Sequence, residues 1–214
     1  GRPAAVNAAG AGCRTIVLDA GHGGEDGGAV SPDGVVESDL NLAITRRLRD
    51  VLLFLGRDTV LTRTGGDAIY SPEAVTLREK KVSDLKNRVD LINSQPEAVL
   101  ISIHQNCYPD RKPSGAQVLY ATSTGSDTLG ALMHDNLVAY LDPQNRRVAA
   151  PISDKIYLMR EVKCPAVLVE CGFLSNESEC AKLKDGGYQT KLAAVIIASY
   201  LQYRQSLPQT GMVT

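Results

Sequence analysis

The sequence predicts an α/β domain whose central, mostly parallel twisted sheet is flanked by helices on both faces. Three observations carry that expectation. Short, β-rich apolar runs alternate with helix-period segments, the pattern of successive βαβ units. The runs at 15–19 (TIVLD), 98–104 (AVLISIH) and 166–170 (AVLVE) are nearly continuous in apolar residues, as strands buried on both faces must be. A chain of 214 residues, 43% hydrophobic and 22% charged, suits one soluble domain with a layered core.

Residues 15–19 form the first buried strand and run into a glycine-dense loop, GHGGEDGGAV, over 21–30. Ser38 or Asp39 is placed to cap a helix with Leu40, Leu42, Ile44, Leu48, Val51, Leu52 and Leu55 on one broad face. Gly56 stands where a left-handed C-terminal residue belongs. Residues 58–62 (DTVLT) read as the next strand. The segment 77–93 is an amphipathic helix with Leu77, Val82, Leu85, Val89 and Ile92 facing inward. Then come the central strand at 98–104, a strand at 115–121 and a third helix at 128–141. A shorter strand is expected over 155–159, the last buried strand over 166–170, and a closing helix over 188–205. No repeat or low-complexity block intervenes, so one domain spans 14–205, with flexible termini at 1–13 and 206–214.

Composition excludes several function classes. Lys plus Arg (23) nearly cancel Asp plus Glu (24), without the basic stripe that nucleic acid requires. No apolar run approaches the roughly 20 residues that span a bilayer. The start, GRPAAVNAAGAGC, lacks both a basic n-region and an apolar h-region, so either the protein stays inside the cell or its leader is absent from this chain. Five cysteines and no C-x-x-C pair argue against a disulfide framework, and Cys164 and Cys171 read as small buried hydrophobes. With no Trp and only two Phe, a sugar-stacking platform is not expected. Residues 207–211 spell LPQTG, a sortase-type pattern, but only MVT follows, so the match reads as chance or truncation.

The chemistry gathers at strand ends. His22 lies three residues past TIVLD, His104 closes AVLISIH, and Glu170 closes AVLVE. Ligands of parallel sheets bind at the carboxyl edge, where the loops converge on a crevice. Two histidines and a glutamate meeting there need a partner, because buried polar groups are costly when left unpaired. A metal ion satisfies them, and a His₂Glu set leaving one position for water is a common catalytic zinc site. Two carboxylates compete for the third place. Glu25 makes a short H-x-x-E with His22, whereas Glu37 is fixed by a helix start and is modestly preferred. Glu170 then remains to take a proton from water as it attacks a carbonyl. His134, mid-helix, reads as a solvated or satisfied helix residue, and Cys107 as a structural thiol. Asp19 and Asn106 are placed to orient the histidines. The glycine loop lacks the Lys-Ser/Thr of a phosphate loop and the G-x-G-x-x-G pattern of dinucleotide sites.

Together these segments closely resemble the zinc-dependent N-acetylmuramoyl-L-alanine amidases of bacterial cell walls (amidase type 3). The matching stretches are IVLDAGHGGEDGGAV from Ile16, ESDLNL from Glu37, Thr62-Arg63, DLKNRVDLIN from Asp84, SIHQN from Ser102 and VECGFLSN from Val169. They run in order over most of residues 14–204. The resemblance implies one Zn²⁺ held by His22, Glu37 and His104, with Glu170 as the catalytic carboxylate, and so favours Glu37 over Glu25. It implies as substrate the peptidoglycan amide joining N-acetylmuramic acid to the first L-alanine of the stem peptide. The stretches around SIHQNCYPDRKPSGAQVLY, NRRV and YLMREVKCPAVLVECGFLSN are most similar to the sporulation and germination amidases, which strip stem peptides so that muramic-δ-lactam can form in the spore cortex. That likeness implies export to the cell envelope (cell wall or forespore intermembrane space) and, as in some clostridial relatives, an activating lipoprotein partner. Gln105 departs from the small or apolar residue often found beside the histidine. A silent peptidoglycan-binding domain, or a zinc peptidase using His22 and Glu25, is the competing expectation.

Overall fold

Alternation within the apolar runs decides what each face of the sheet carries. The computed structural model describes residues 15–207. In chain order the elements are β1 (Ile16–Ala20), α1 (Glu37–Phe54), β2 (Thr59–Leu61), α2 (Leu77–Asn93), β3 (Val99–Asn106), β4 (Gln117–Tyr120), α3 (Ser126–Leu141), β5 (Ala150–Pro151), α4 (Tyr157–Glu161), β6 (Ala166–Phe173), α5 (Glu177–Lys184) and α6 (Gly186–Ser206). The six strands form one sheet in the order β2-β1-β3-β6-β4-β5. All neighbours are parallel except β4, which runs antiparallel to β6.

Ile16, Leu18, Val99, Ile101, Ile103, Val167 and Val169 share one face with buried residues of α1, α3, α5 and α6. Val17, Leu100, Ala166 and Leu168 share the other with residues of α2 and α4. Both faces are therefore covered, and burial on both sides is what the near-continuous apolar strands require. The first face carries the larger core, anchored by Leu48, Leu52, Ile196 and Tyr200, each fully buried.

Several expectations are revised. No side chain of Ser38 or Asp39 caps α1. The helix begins at Glu37 after Val36, with Glu37 and Asp39 in the first turn, where carboxylates complement the helix dipole. Gly56 takes the left-handed conformation expected of it (φ 67), and the amides of Gly56 and Arg57 bond back to Leu53 and Leu52. Helix α2 keeps the predicted bounds behind a Thr76–Glu79 capping box. Its inward face, however, is made of Asp84, Arg88, Val89 and Ile92, while Leu77 and Val82 are exposed. The strand expected over 155–159 is instead the start of α4, and the short edge strand is β5. Helix α5, capped by Asn176, was not anticipated. Ser206 ends α6; residues 1–14 and 208–214, including Cys13 and most of LPQTG, lie outside the described residues. The four cysteines that are described are free, with Cys171 buried in the core and Cys164 partly buried.

Candidate metal centre

Strands β1, β3 and β6 end at one rim, and the site is built there. His104 and Glu170 are register partners across β3 and β6, and the pairing shifts just beyond them, between His104 and Asn106. His22 sits two residues past β1 with φ 61, a left-handed conformation rare for a residue with a side chain. Two arginines hold that backbone. Arg88 donates from Nη1 to the Ala20 carbonyl (2.8 Å) and from Nη2 to the His22 carbonyl (2.7 Å). Arg63 donates to the carbonyls of Ala20 (2.9 Å), Gly21 (3.1 Å) and Ser38 (2.8 Å). The Gly21 amide in turn donates to Ile103 on β3 (3.1 Å).

Buried guanidinium groups need counter-charges. Arg88, 1% exposed, pairs with Asp19 (2.7 Å) and with Asp84 one helical turn earlier (2.8 Å). Burial alone would raise the Asp19 carboxyl, but Arg88 and the hydroxyls of Ser102 and Thr62 outweigh it and hold it at about 2. Asp19 therefore bonds to no histidine; it acts on the His22 loop through Arg88, which revises the role expected for it. Neither arginine was assigned a function from sequence. The usable signal was Asp84 and Arg88, spaced i,i+4 on the same face as Val89 and Ile92.

Glu37 is the most constrained group of the site. Its Oε2 accepts from the Ala29 amide (2.8 Å), and its Oε1 from the Gln105 amide (3.1 Å) and from Asn41 (3.3 Å). Gln105 also donates to Asn41 (3.1 Å), so this departure from the family pattern supports the ligand side. His104 Nδ1 lies 3.0 Å from Oε1 and His22 Nε2 3.4 Å from Oε2. Burial works against the charge on Glu37, yet the two imidazoles outweigh it and hold the carboxyl well below its ordinary range. The other ring nitrogen of His22 meets Asp26 (3.1 Å), which also pairs with Lys81 (3.0 Å). No hydrogen bond joins Asn106 to either imidazole among the described residues; Asp26 takes the orienting role expected of it.

Two glycines permit the close packing. A Cβ at Gly21 would fall 2.2 Å from the His104 ring, and one at Gly28 (φ +71) 2.5 Å from Glu37 Oε2 and 2.6 Å from His22 Cδ2. One ligand atom each from His22, Glu37 and His104 lies within 4.8 Å of the others. That spacing and donor set fit a divalent metal ion. Glu25 is not in this group; it pairs with Lys80 at the surface. Cys107 is exposed and also outside it. His134 is buried on α3, not solvated, and its Nε2 meets the Arg147 carbonyl (2.7 Å).

Glu170 contrasts with Glu37. Its Oε2 is buried with no hydrogen-bond partner among the described residues. Burial pushes its carboxyl up to about 7, against the pull of His104, His22 and Arg147 and with the help of the Glu37 charge.

Comparison with known proteins gives this rim a context. A family model described as N-acetylmuramoyl-L-alanine amidase matches residues 16–201. The germination-specific N-acetylmuramoyl-L-alanine amidase of Bacillus subtilis (strain 168) is 38% identical over 192 residues, covering 89% of this chain and 79% of that protein. The amidase LytC of the same organism is 31% identical, covering 88% of this chain and 35% of its own length. Among solved structures, the CwlD amidase of Clostridioides difficile in complex with the GerS lipoprotein superposes with a TM-score of 0.86 at 39% identity, covering 90% of this chain and 98% of that one.

Proposed function

The chain belongs to the family of N-acetylmuramoyl-L-alanine amidases, and from that premise we propose that His22, Glu37 and His104 hold one Zn²⁺ while Glu170 moves the protons of the hydrolysis. The bond cut is the amide joining the lactyl group of N-acetylmuramic acid to the first L-alanine of the stem peptide. The observation that carries this reading is the pairing of a three-ligand cluster with a buried, unpartnered carboxylate on the adjacent strand.

A Zn²⁺ bound there supplies Lewis acidity toward the scissile carbonyl and brings the ionisation of water close to pH 7. The chain's own residues do the rest. Glu37, kept ionised, supplies the negative charge that a cation needs. Arg63 and Arg88 fix the His22 backbone, and Asp26 fixes its ring. Glu170, with a pKa of about 7, is poised between acid and base. It accepts the proton of the attacking water and returns it to the departing amine of L-alanine.

The 38% identity to a germination-specific amidase supports a role in the spore cortex, where removal of stem peptides precedes muramic-δ-lactam formation. The C. difficile neighbour, solved with a lipoprotein, supports a lipoprotein partner for this chain and a place in the cell envelope. No helix among the described residues is long and apolar enough to cross a membrane.

Digestion of purified peptidoglycan, with and without chelator, tests the reading by mass spectrometry of the products. Released stems bearing a free L-alanine amine, only in metal-replete samples, are expected. Shortened stems still attached to muramic acid, or no products in any metal condition, contradict it.

A further inference from the structure

Arg147 is fixed at the rim of the site by more contacts than its own loop requires. Its Nε donates to the Ser114 carbonyl (3.0 Å) and its Nη1 to Gln117 Oε1 (3.1 Å). The guanidinium lies over the Phe173 ring, 4.5 Å from its centroid. Its backbone is pinned from below: the Arg147 amide donates to Asn145 (3.0 Å), and the buried His134 ring meets the Arg147 carbonyl (2.7 Å). Asn145 in turn donates to Ala116 (2.8 Å) and packs so tightly on Gly115 that a Cβ there would meet it at 2.6 Å. A buried histidine and a buried asparagine thus serve to hold one arginine.

That arginine faces the reacting centre. Gln117, which receives Nη1, is the register partner of Glu170 across β4 and β6, so the two side chains share a face. Directly opposed residues of antiparallel strands have Cβ atoms about 5 Å apart. The guanidinium therefore stands about one side chain from the proposed base, and its charge acts on that carboxyl. No carboxylate among the described residues lies within ion-pair distance of it. The contacts above engage Nε and Nη1, and none of them uses Nη2. A planar donor fork held rigid beside a catalytic rim is a receptor for a carboxylate.

The carboxyl of the first L-alanine is taken up in the stem, so the nearest free carboxylate on the peptide side belongs to the second stem residue; we propose that Arg147 binds that carboxylate and so sets specificity for stems that carry the acid in its free form. The proposal rests on the amidase reading above. Gln117, Ser114 and Phe173 are positioning residues that aim the fork.

The test uses zinc-loaded wild-type protein and two muropeptides that differ only at the second stem residue, a free carboxylate in one and a carboxamide in the other. The acid is expected to be cleaved with kcat/KM about 10- to 100-fold above the amide, mostly through KM, the range for a charge-assisted bond lost on binding. In Arg147→Gln that ratio falls to near one, and Arg147→Lys recovers part of it. Equal cleavage of both substrates by wild type overturns the proposal, as does an Arg147→Gln variant that slows both equally and keeps the ratio. Because each ratio is internal to one sample, partial misfolding of a variant does not disturb it. Cleavage of neither substrate at the L-alanine amide would instead overturn the amidase reading beneath.

Discussion

The two sides of the candidate centre are built on opposite principles. On the β1–α1 side the Glu37 carboxylate and the loop carbonyls are held from several directions: Glu37 accepts from two backbone amides and Asn41, and the carbonyls of residues 20–22 are taken up by Arg63 and Arg88. On the β6 side, Glu170 is buried with one oxygen left without a partner. One region holds its carboxylate ionised and the other pushes its carboxylate up to about 7. Two titratable groups driven apart by their surroundings fit the division of labour we propose, between holding a cation and moving a proton. Rigidity on the first side is what makes the strained His22 backbone tolerable.

The sharpest way to break that division is to remove the scaffold under the ligand side. Arg88→Leu leaves Asp19 and Asp84 buried without their counter-charge, and an expected loss of about 3–5 kcal/mol in urea unfolding follows. A loss below about 1 kcal/mol would show that the network is not what fixes the β1 loop. A smaller effect is expected of Asp26→Ala, which frees the second nitrogen of His22. Zinc affinity, read by chelator competition, should fall about 10- to 100-fold while the fold survives. Unchanged affinity would assign Asp26 to the surface pair with Lys81 alone.

Acid titration gives the smallest effect. Asp19 has a folded-state pKa of about 2 against an ordinary 3.8, so its contribution is complete above the ordinary value and is lost as pH falls through the folded one. The expected decline from Asp19 is roughly 2 kcal/mol across that window. Comparison with Asp19→Asn isolates it: the wild type should lose its advantage over the variant as pH drops from about 5 to about 2. An advantage that stays constant would contradict the role of Asp19 as the buried counter-ion.

Sequence revealed the ligand side better than its support. The strand ends that carry His22, His104 and Glu170 were legible because an apolar run ending in an ionisable residue is unusual, and α2 was legible from the helix-period spacing of its apolar residues. The antiparallel sense of β4 was not, since its pattern does not record which neighbour it joins. Helices α4 and α5 are 5 and 8 residues long, too short for a periodic signal; for α5 the cap at Asn176, with acidic residues first and lysines last, was the available clue. Arg63 and Arg88 escaped notice because their partners are distant along the chain: Arg63 reaches Ser38 and Gly21, 25 and 42 positions away, and Arg88 reaches His22, 66 positions away. Leu77 and Val82 misled for the complementary reason: Asp84 and Arg88 take the buried face toward the site.

The most direct test of the account is Glu170→Gln, assayed for zinc content and hydrolysis in the same preparation, with His104→Ala beside it. Glu170→Gln should retain one zinc per chain and lose about 10²- to 10⁴-fold in kcat, whereas His104→Ala should lose both metal and activity. Turnover by Glu170→Gln close to that of the wild type would contradict the division between a ligand side and a proton-moving side.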